Sequence, residues 1–325
     1  MKTASSPTAS VTGARLAPTA TTLLLALGIH ILGFTANATA APGDVESTRN
    51  AAVQWKRSNK PNWVPIVVVD SARKSAEQGD AEAQNQIGSY YLTGSGVPKD
   101  GVEAIKWFLK SAVQGNAEAQ FRLGVCYGIG ASGASQDLVE AVKWFRKAAG
   151  QGHASAQYNL GLCYYKGDGV PKDDAEAVKW YRKSADQGNA DAQYDLGVCY
   201  DSGTGVPKNA VEAVKWYRKS ADQGYAAAQY NLGGCYGTGT GVPKDDAEAV
   251  KWYRKSADQG YASAQYHLGL YYAHGKDDVM AYVWLNNAAT AGYLPAKHIL
   301  IVISRRMTSV QITIAKRLSL EWQLK

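Results

Sequence analysis

The chain has 325 residues, of which 46% are hydrophobic and 19% charged, with a formal net charge of +7. Residues 1–40 carry two basic and no acidic side chains, residues 297–325 carry six basic ones against Glu321, and residues 41–296 balance at 27 of each sign. The basic excess lies at the two ends, the middle is neutral and no zinc-finger or RNA-recognition-motif signature occurs, so no nucleic-acid partner is expected.

In chain order, residues 1–40 hold Lys2 and Arg15, an apolar run from Leu23 to Phe34, then Ala38 and Ala40 in A-x-A spacing. That order is the order of a secretory signal peptide cleaved near Ala40. The run is too short to span a bilayer, which takes roughly 20 residues. A periplasmic or secreted chain is the expectation. Residues 41–79 read as a linker and a capping hairpin, ending in "SARKSAEQG" (Ser71–Gly79).

A repeat follows. "GDGVPKDDAEAVKWYRKSADQGNA" at 167–190 returns with two changes at 239–262, and a third version lies halfway between at 203–226, so the period is 36 residues. Such a period marks stacked supersecondary units. Six units run over 80–115, 116–152, 153–188, 189–224, 225–260 and 261–292.

Within a unit, helix A opens on a residue such as Asn189, a good N-cap, and places Ala192, Leu196 and Tyr200 on one face. Gly197 recurs inside this helix at the same place in all six units. Its cost of about 1 kcal/mol relative to Ala points to a neighbouring backbone lying too close for a side chain. The "GVPK" phrase breaks the helix. Helix B then starts at an Asn or Asp with Glu three residues on, as in Asn209 and Glu212, which is capping-box spacing. It closes at "QG", where Gly224 suits the left-handed position after a helix. Beyond the units, residues 293–325 read as C-terminal capping helices, Pro295–Arg306 and then a helix opened by Thr308 and Gln311.

Cys126, Cys163, Cys199 and Cys235 recur at one position of helix A. Stacked helices sit about 10 Å apart, beyond the roughly 7 Å that a disulfide tolerates between Cα atoms. All four are expected to remain thiols in the core.

"AQYNLGLCYYKGDGVPKDDAEAVKWYRKSADQG" (156–188) resembles the Sel1-like repeat, a relative of the tetratricopeptide repeat, from end to end. The resemblance implies an all-α right-handed superhelical solenoid of stacked antiparallel helix pairs. It also implies a non-catalytic adaptor that assembles other proteins, with helix A lining a concave groove.

Comparison of the units separates frame from surface. One side of helix A varies, and Gln86, Arg122, Asn159, Asp195, Asn231 and His267 form a polar row along it, the expected binding row for a protein or peptide partner. Helix B carries a basic row, Lys143/Arg146/Lys147, Lys179/Arg182/Lys183, Lys215/Arg218/Lys219 and Lys251/Arg254/Lys255, which local ion pairs explain. The basic C-terminal helix raises membrane contact, which nothing else in the sequence supports. No cofactor is expected, since the Gly-rich turns follow no strand. His267 and His274 lack a third metal ligand nearby. The alternative function is a β-lactam-binding or weakly β-lactamase-like protein, because Ser71 and Lys74 match S-x-x-K. The partner motifs S-D-N and K-T-G are missing, and helix B has no cysteine of the kind that the cysteine-rich branch pairs with helix A.

Overall fold

The computed structural model describes Val64 and residues 66–130 and 135–323. The signal peptide expected over residues 1–40, and the linker and first part of the capping hairpin up to residue 63, lie outside the described residues. Every regular element among those described is a helix. After α1 (Ile66–Glu77) come six hairpins: α2 (Ala81–Thr93) with α3 (Gly101–Val113), α4 (Ala117–Ile129) with α5 (Leu138–Gly150), and α6 (Ala154–Lys166) with α7 (Asp174–Asp186). They continue with α8 (Ala190–Ser202) and α9 (Ala210–Asp222), α10 (Ala226–Thr238) and α11 (Asp246–Asp258), and α12 (Ala262–His274) and α13 (Asp278–Thr290). The chain ends in α14 (Leu294–Ser304) and α15 (Ser309–Gln323). From α1 to α14 each helix packs on its sequence neighbours, which makes an all-α solenoid.

Caps set the helix lengths. Asn189 Oδ1 accepts from Ala192 N at 2.8 Å, and Gly188 takes a φ of 91° after α7. At the second helices only half of the expected capping box forms. Asp173 Oδ1 accepts from Glu176 N at 2.9 Å, but Asp173 N donates to Tyr164 O in the partner helix. That leaves Glu176 to pair with Lys179 at 2.8 Å. At α15 the box is complete: Gln311 N donates to Thr308 Oγ1 at 3.3 Å and Thr308 N donates to Gln311 Oε1 at 2.9 Å.

Two buried polar ladders hold the units. Ser111, Ser184, Ser220 and Ser256 each donate to the first-turn carbonyl of the first helix in the same hairpin, at 2.6–2.8 Å. A glutamine in each first helix, such as Gln157, donates to the preceding second helix at Ala149 O, 3.2 Å away, and accepts from Gln187 at 2.7 Å. Five of the six glutamines therefore tie three helices, and because both their ends are satisfied their burial costs little.

The recurring helix-interior glycines are explained by a side chain of the second helix, a ring in five units and Leu285 at Gly269, rather than by backbone. A Cβ on Gly197 would stand 2.6 Å from Cδ1 of Tyr217, and one on Gly161 would stand 2.7 Å from Cδ1 of Tyr181. Close backbone approach occurs instead at the turn glycines: at Gly205 (φ +70°) a Cβ would fall 2.2 Å from Asp174 O of the preceding unit. Cys126, Cys199 and Cys235 are buried and Cys163 is half-buried. Burial pushes the thiols of Cys163, Cys199 and Cys235 up to about 12.

The stack ends differently from its middle. α14 packs on α13 as any first helix packs on the second helix before it, but α15 also lies against α13 and forms no hairpin seam with α14. Asn286 donates to Ser319 Oγ at 2.9 Å, and the Trp322 ring meets Trp284 edge-on with centroids 5.4 Å apart.

Candidate interaction face of the first helices

The six row residues fall on equivalent positions of α2, α4, α6, α8, α10 and α12, and the structure sorts them into two groups. Gln86, Arg122 and Asn159 are engaged within their own helices. Gln86 donates to Tyr90 OH at 2.7 Å, Arg122 Nε lies 2.7 Å from Glu118 Oε1 as an ion pair not aligned for a hydrogen bond, and Asn159 is buried and donates to Ser155 O at 2.8 Å.

Asp195, Asn231 and His267 instead reach across the seam, each to the tyrosine of the preceding first helix. Tyr158 OH donates to Asp195 Oδ2 at 3.0 Å. Asn231 lies against Tyr194 and Tyr217 and acts to lower the pKa of both phenols, against the larger effect of burial. The His267 ring lies 5.6 Å from that of Tyr230 and stacks on Tyr253 at 5.4 Å and 15°.

Those tyrosines were not among the sequence-derived candidates. Tyr194, Tyr230 and Tyr266 each meet the tyrosine that opens the next unit, Tyr225, Tyr261 and Tyr293, with centroids 5.1, 5.4 and 5.2 Å apart. At the N-terminal end Phe121 stacks on His153 at 4.8 Å. The result is an aromatic ladder running beside the polar row. Its signal in the sequence is the Tyr of "AQY" together with the Tyr of "QGY", both recurring with the period.

Electrostatically the face has two centres. In the first, Nδ1 of His153 accepts from Ala156 N at 3.2 Å, which places the ring proton on Nε2, 2.9 Å from Glu118 Oε2. Burial raises the Glu118 carboxyl, but the hydrogen bond from His153 and the charge of Arg122 outweigh it and hold the group below its ordinary range. The second centre is acidic. Burial pushes Asp195 up to about 7 against the opposing hydrogen bond from Tyr158. Burial also raises Asp191, one turn away, against the opposing influence of Tyr225. These groups offer phenol and amide donors, two carboxylates and a run of ring faces. Among the described residues no serine hydroxyl is hydrogen-bonded to a carboxylate, imidazole or amine. Among the described residues no group of three or more His, Cys, Asp or Glu could hold a metal.

The basic row of the second helices is consumed by the fold. Lys143, Lys179, Lys215 and Lys251 pair with glutamates three residues back, at 2.6–2.8 Å. Lys147, Lys183, Lys219 and Lys255 lie 3.9–4.0 Å from the tryptophan ring centroids one turn back. Arg146, Arg182 and Arg218 donate to Tyr164, Tyr200 and Tyr236 of the next hairpin.

Comparison with known proteins finds six consecutive matches to the Sel1 repeat, at residues 81–116, 117–153, 154–189, 190–225, 226–261 and 262–293. A protective antigen present in uropathogenic Escherichia coli strains and displaying an SLR fold is 37% identical, with a TM-score of 0.73. That match covers 79% of this chain and 56% of the antigen, so the chain spans a little over half of the antigen's length. A Sel1 repeat protein from Oxalobacter formigenes is also 37% identical, with a TM-score of 0.59 over 69% of this chain and 94% of that one. No curated protein matches the chain.

Proposed function

Because the chain belongs to the Sel1 repeat family, whose members are generally protein-interaction scaffolds, we propose that it is a non-catalytic adaptor of the bacterial envelope, or a secreted one, that binds a partner peptide or domain along its first helices. The observation that carries this reading is the division of labour between the two helices of each unit. The second-helix charges are tied up in ion pairs, ring contacts and hydrogen bonds to the next hairpin, whereas the first-helix face varies from unit to unit over a constant frame. A face that changes along its length while its scaffold repeats reads successive segments of an extended ligand differently.

Export rests on the order of charge, apolar run and small residues in residues 1–40. The description of one relative as a protective antigen agrees with it. The β-lactam reading gains nothing from the structure: Ser71 and Lys74 are both exposed on α1, and no hydrogen bond joins them. A nucleophile without an adjacent base is not activated.

The test is affinity capture from an envelope extract with three baits: the chain, a first-helix variant (Arg122→Ala, Asp191→Asn, Tyr230→Ala) and a second-helix variant (Lys143→Ala, Lys179→Ala, Lys215→Ala), all matched for helicity. A protein held by the chain and the second-helix variant but lost from the first-helix variant supports the reading. Loss from the second-helix variant alone overturns it.

A further inference from the structure

The C-terminal end of the solenoid carries a second surface, unlike any other part of it. In the six hairpins the first helix has a buried glutamine on its second turn and a glycine four residues later, and an aromatic or leucine side chain of the second helix seats on that glycine. In α14 the corresponding residues are Lys297 and Ile301. No second helix arrives to cover them, because α15 packs on α13 instead. The hairpin face of α14 is therefore uncovered, and a β-branched side chain at the seat blocks another unit from adding there.

What the last two helices expose is apolar and basic. Of the 14 large hydrophobic residues exposed among those described, six lie in the last two helices: Leu294 (64%), Ile301 (54%) and Val302 (53%) on α14, and Val310 (66%), Ile314 (39%) and Leu320 (60%) on α15. Leu294, Ile301 and Arg305 lie seven and four residues apart, on one stripe of α14. Lys297, Arg305 and Lys316 have no ion-pair partner among the described residues, while Arg306 is held by Asp278 at 2.6 Å. The sole acid of residues 297–325 is Glu321, at 3.6 Å from Arg317. No described helix is long and apolar enough to cross a membrane.

We propose that α14 and α15 form a peripheral docking surface for an anionic phospholipid bilayer. Apolar side chains would enter the headgroup boundary, and unpaired lysine and arginine side chains would meet the lipid phosphates. Exposed aliphatic side chains interleaved with uncompensated cations are the pattern that interfacial helices use, and both components are needed for stable attachment. This leaves the first-helix face free, so the chain would hold its partner while resting on a membrane.

The test is flotation of the full chain with vesicles of equal phosphatidylglycerol and phosphatidylcholine, and with phosphatidylcholine alone. The C-terminal variants below leave residues 1–40 and their two basic side chains unchanged, and so isolate this surface from the apolar stretch near the N-terminus. The expected result is preferential binding to the anionic vesicles that weakens as salt rises. Lys297→Glu with Arg305→Glu, and separately Ile301→Asp with Val302→Asp, should each lower it by about tenfold or more. All four side chains are exposed, and unchanged helicity would confirm folding. Equal binding to both vesicles, or variants that bind as the wild type does, would overturn the proposal. A wild-type dimer that Ile301→Asp renders monomeric would overturn it too, since a second copy would then cover the face.

Discussion

Tyr158 and Asp195 meet across the seam between the third and fourth units, the phenol donating to the carboxylate at 3.0 Å. The same offset places Asn231 on Tyr194 and the His267 ring beside Tyr230. Three of the six residues of the first-helix polar row are therefore inter-unit fastenings, which couples that part of the face to the stability of the stack.

The first prediction concerns pH. Burial pushes Asp195 up to about 7 in the folded chain, above the value of about 3.9 for an unfolded Asp. Between those values the native state binds more protons than the unfolded one, so this group's contribution to stability falls as pH rises through that window and is constant above it. Asp195→Asn keeps an acceptor for Tyr158 and removes the titration. In urea melts at pH 5 and pH 8 the variant should gain on the wild type at the higher pH, by at most about 3 kcal/mol. An unchanged difference between the two would show that Asp195 does not titrate in this window.

Two glycines should respond oppositely to the same change. Gly197→Ala drives a Cβ to 2.6 Å from the Tyr217 ring, and overpacking of that kind costs about 1–3 kcal/mol. Gly128 sits in α4 with its nearest such contact at 3.8 Å, to Ala141 Cβ. There Gly128→Ala should stabilise by up to about 1 kcal/mol through helix propensity. Thermal denaturation reads both signs.

The glutamine ladder stops one rung short. Gln265 is 2% exposed and its Oε1 has no hydrogen-bond partner, because Ala291 stands where the five preceding rungs have a glutamine donor. Ala291→Gln should supply that donor and raise stability by about 1 kcal/mol. The gain should vanish when Gln265→Ala is combined with it.

Thiol chemistry follows from burial. With Cys163, Cys199 and Cys235 pushed up to about 12, little thiolate is present at pH 8. Alkylation of the folded chain at these sites should run more than about a hundredfold slower than in urea. Rapid native labelling would contradict the packing of the first helices.

What the sequence could and could not convey divides along the distance over which each interaction acts. Caps are local, so the Asn189 N-cap, the left-handed Gly188 and the Thr308–Gln311 box were all legible from spacing. Gly197 announced a close approach but not its cause, since the Tyr217 ring comes from the other helix of the hairpin. The polar row shows in its variation between units, but its tyrosine partners do not, because the contact from Tyr158 to Asp195 crosses a seam that no local pattern records. The second half of the capping box failed for a similar reason: the carbonyl of Tyr164 outcompetes the Glu176 side chain for Asp173 N. The position of α15 was hidden as well. Its own start signal is correct, but whether it pairs with α14 or with α13 is decided by Trp322, Ser319 and the uncovered Ile301.

The measurement closest to the central claim is hydrogen–deuterium exchange on the chain with its captured partner bound. Protection should appear on the first helices, strongest over α6, α8 and α10 beside Tyr158, Asp195 and Asn231, with α5, α7, α9 and α11 unchanged. Protection confined to those second helices would place recognition on the opposite side of the solenoid and contradict the account.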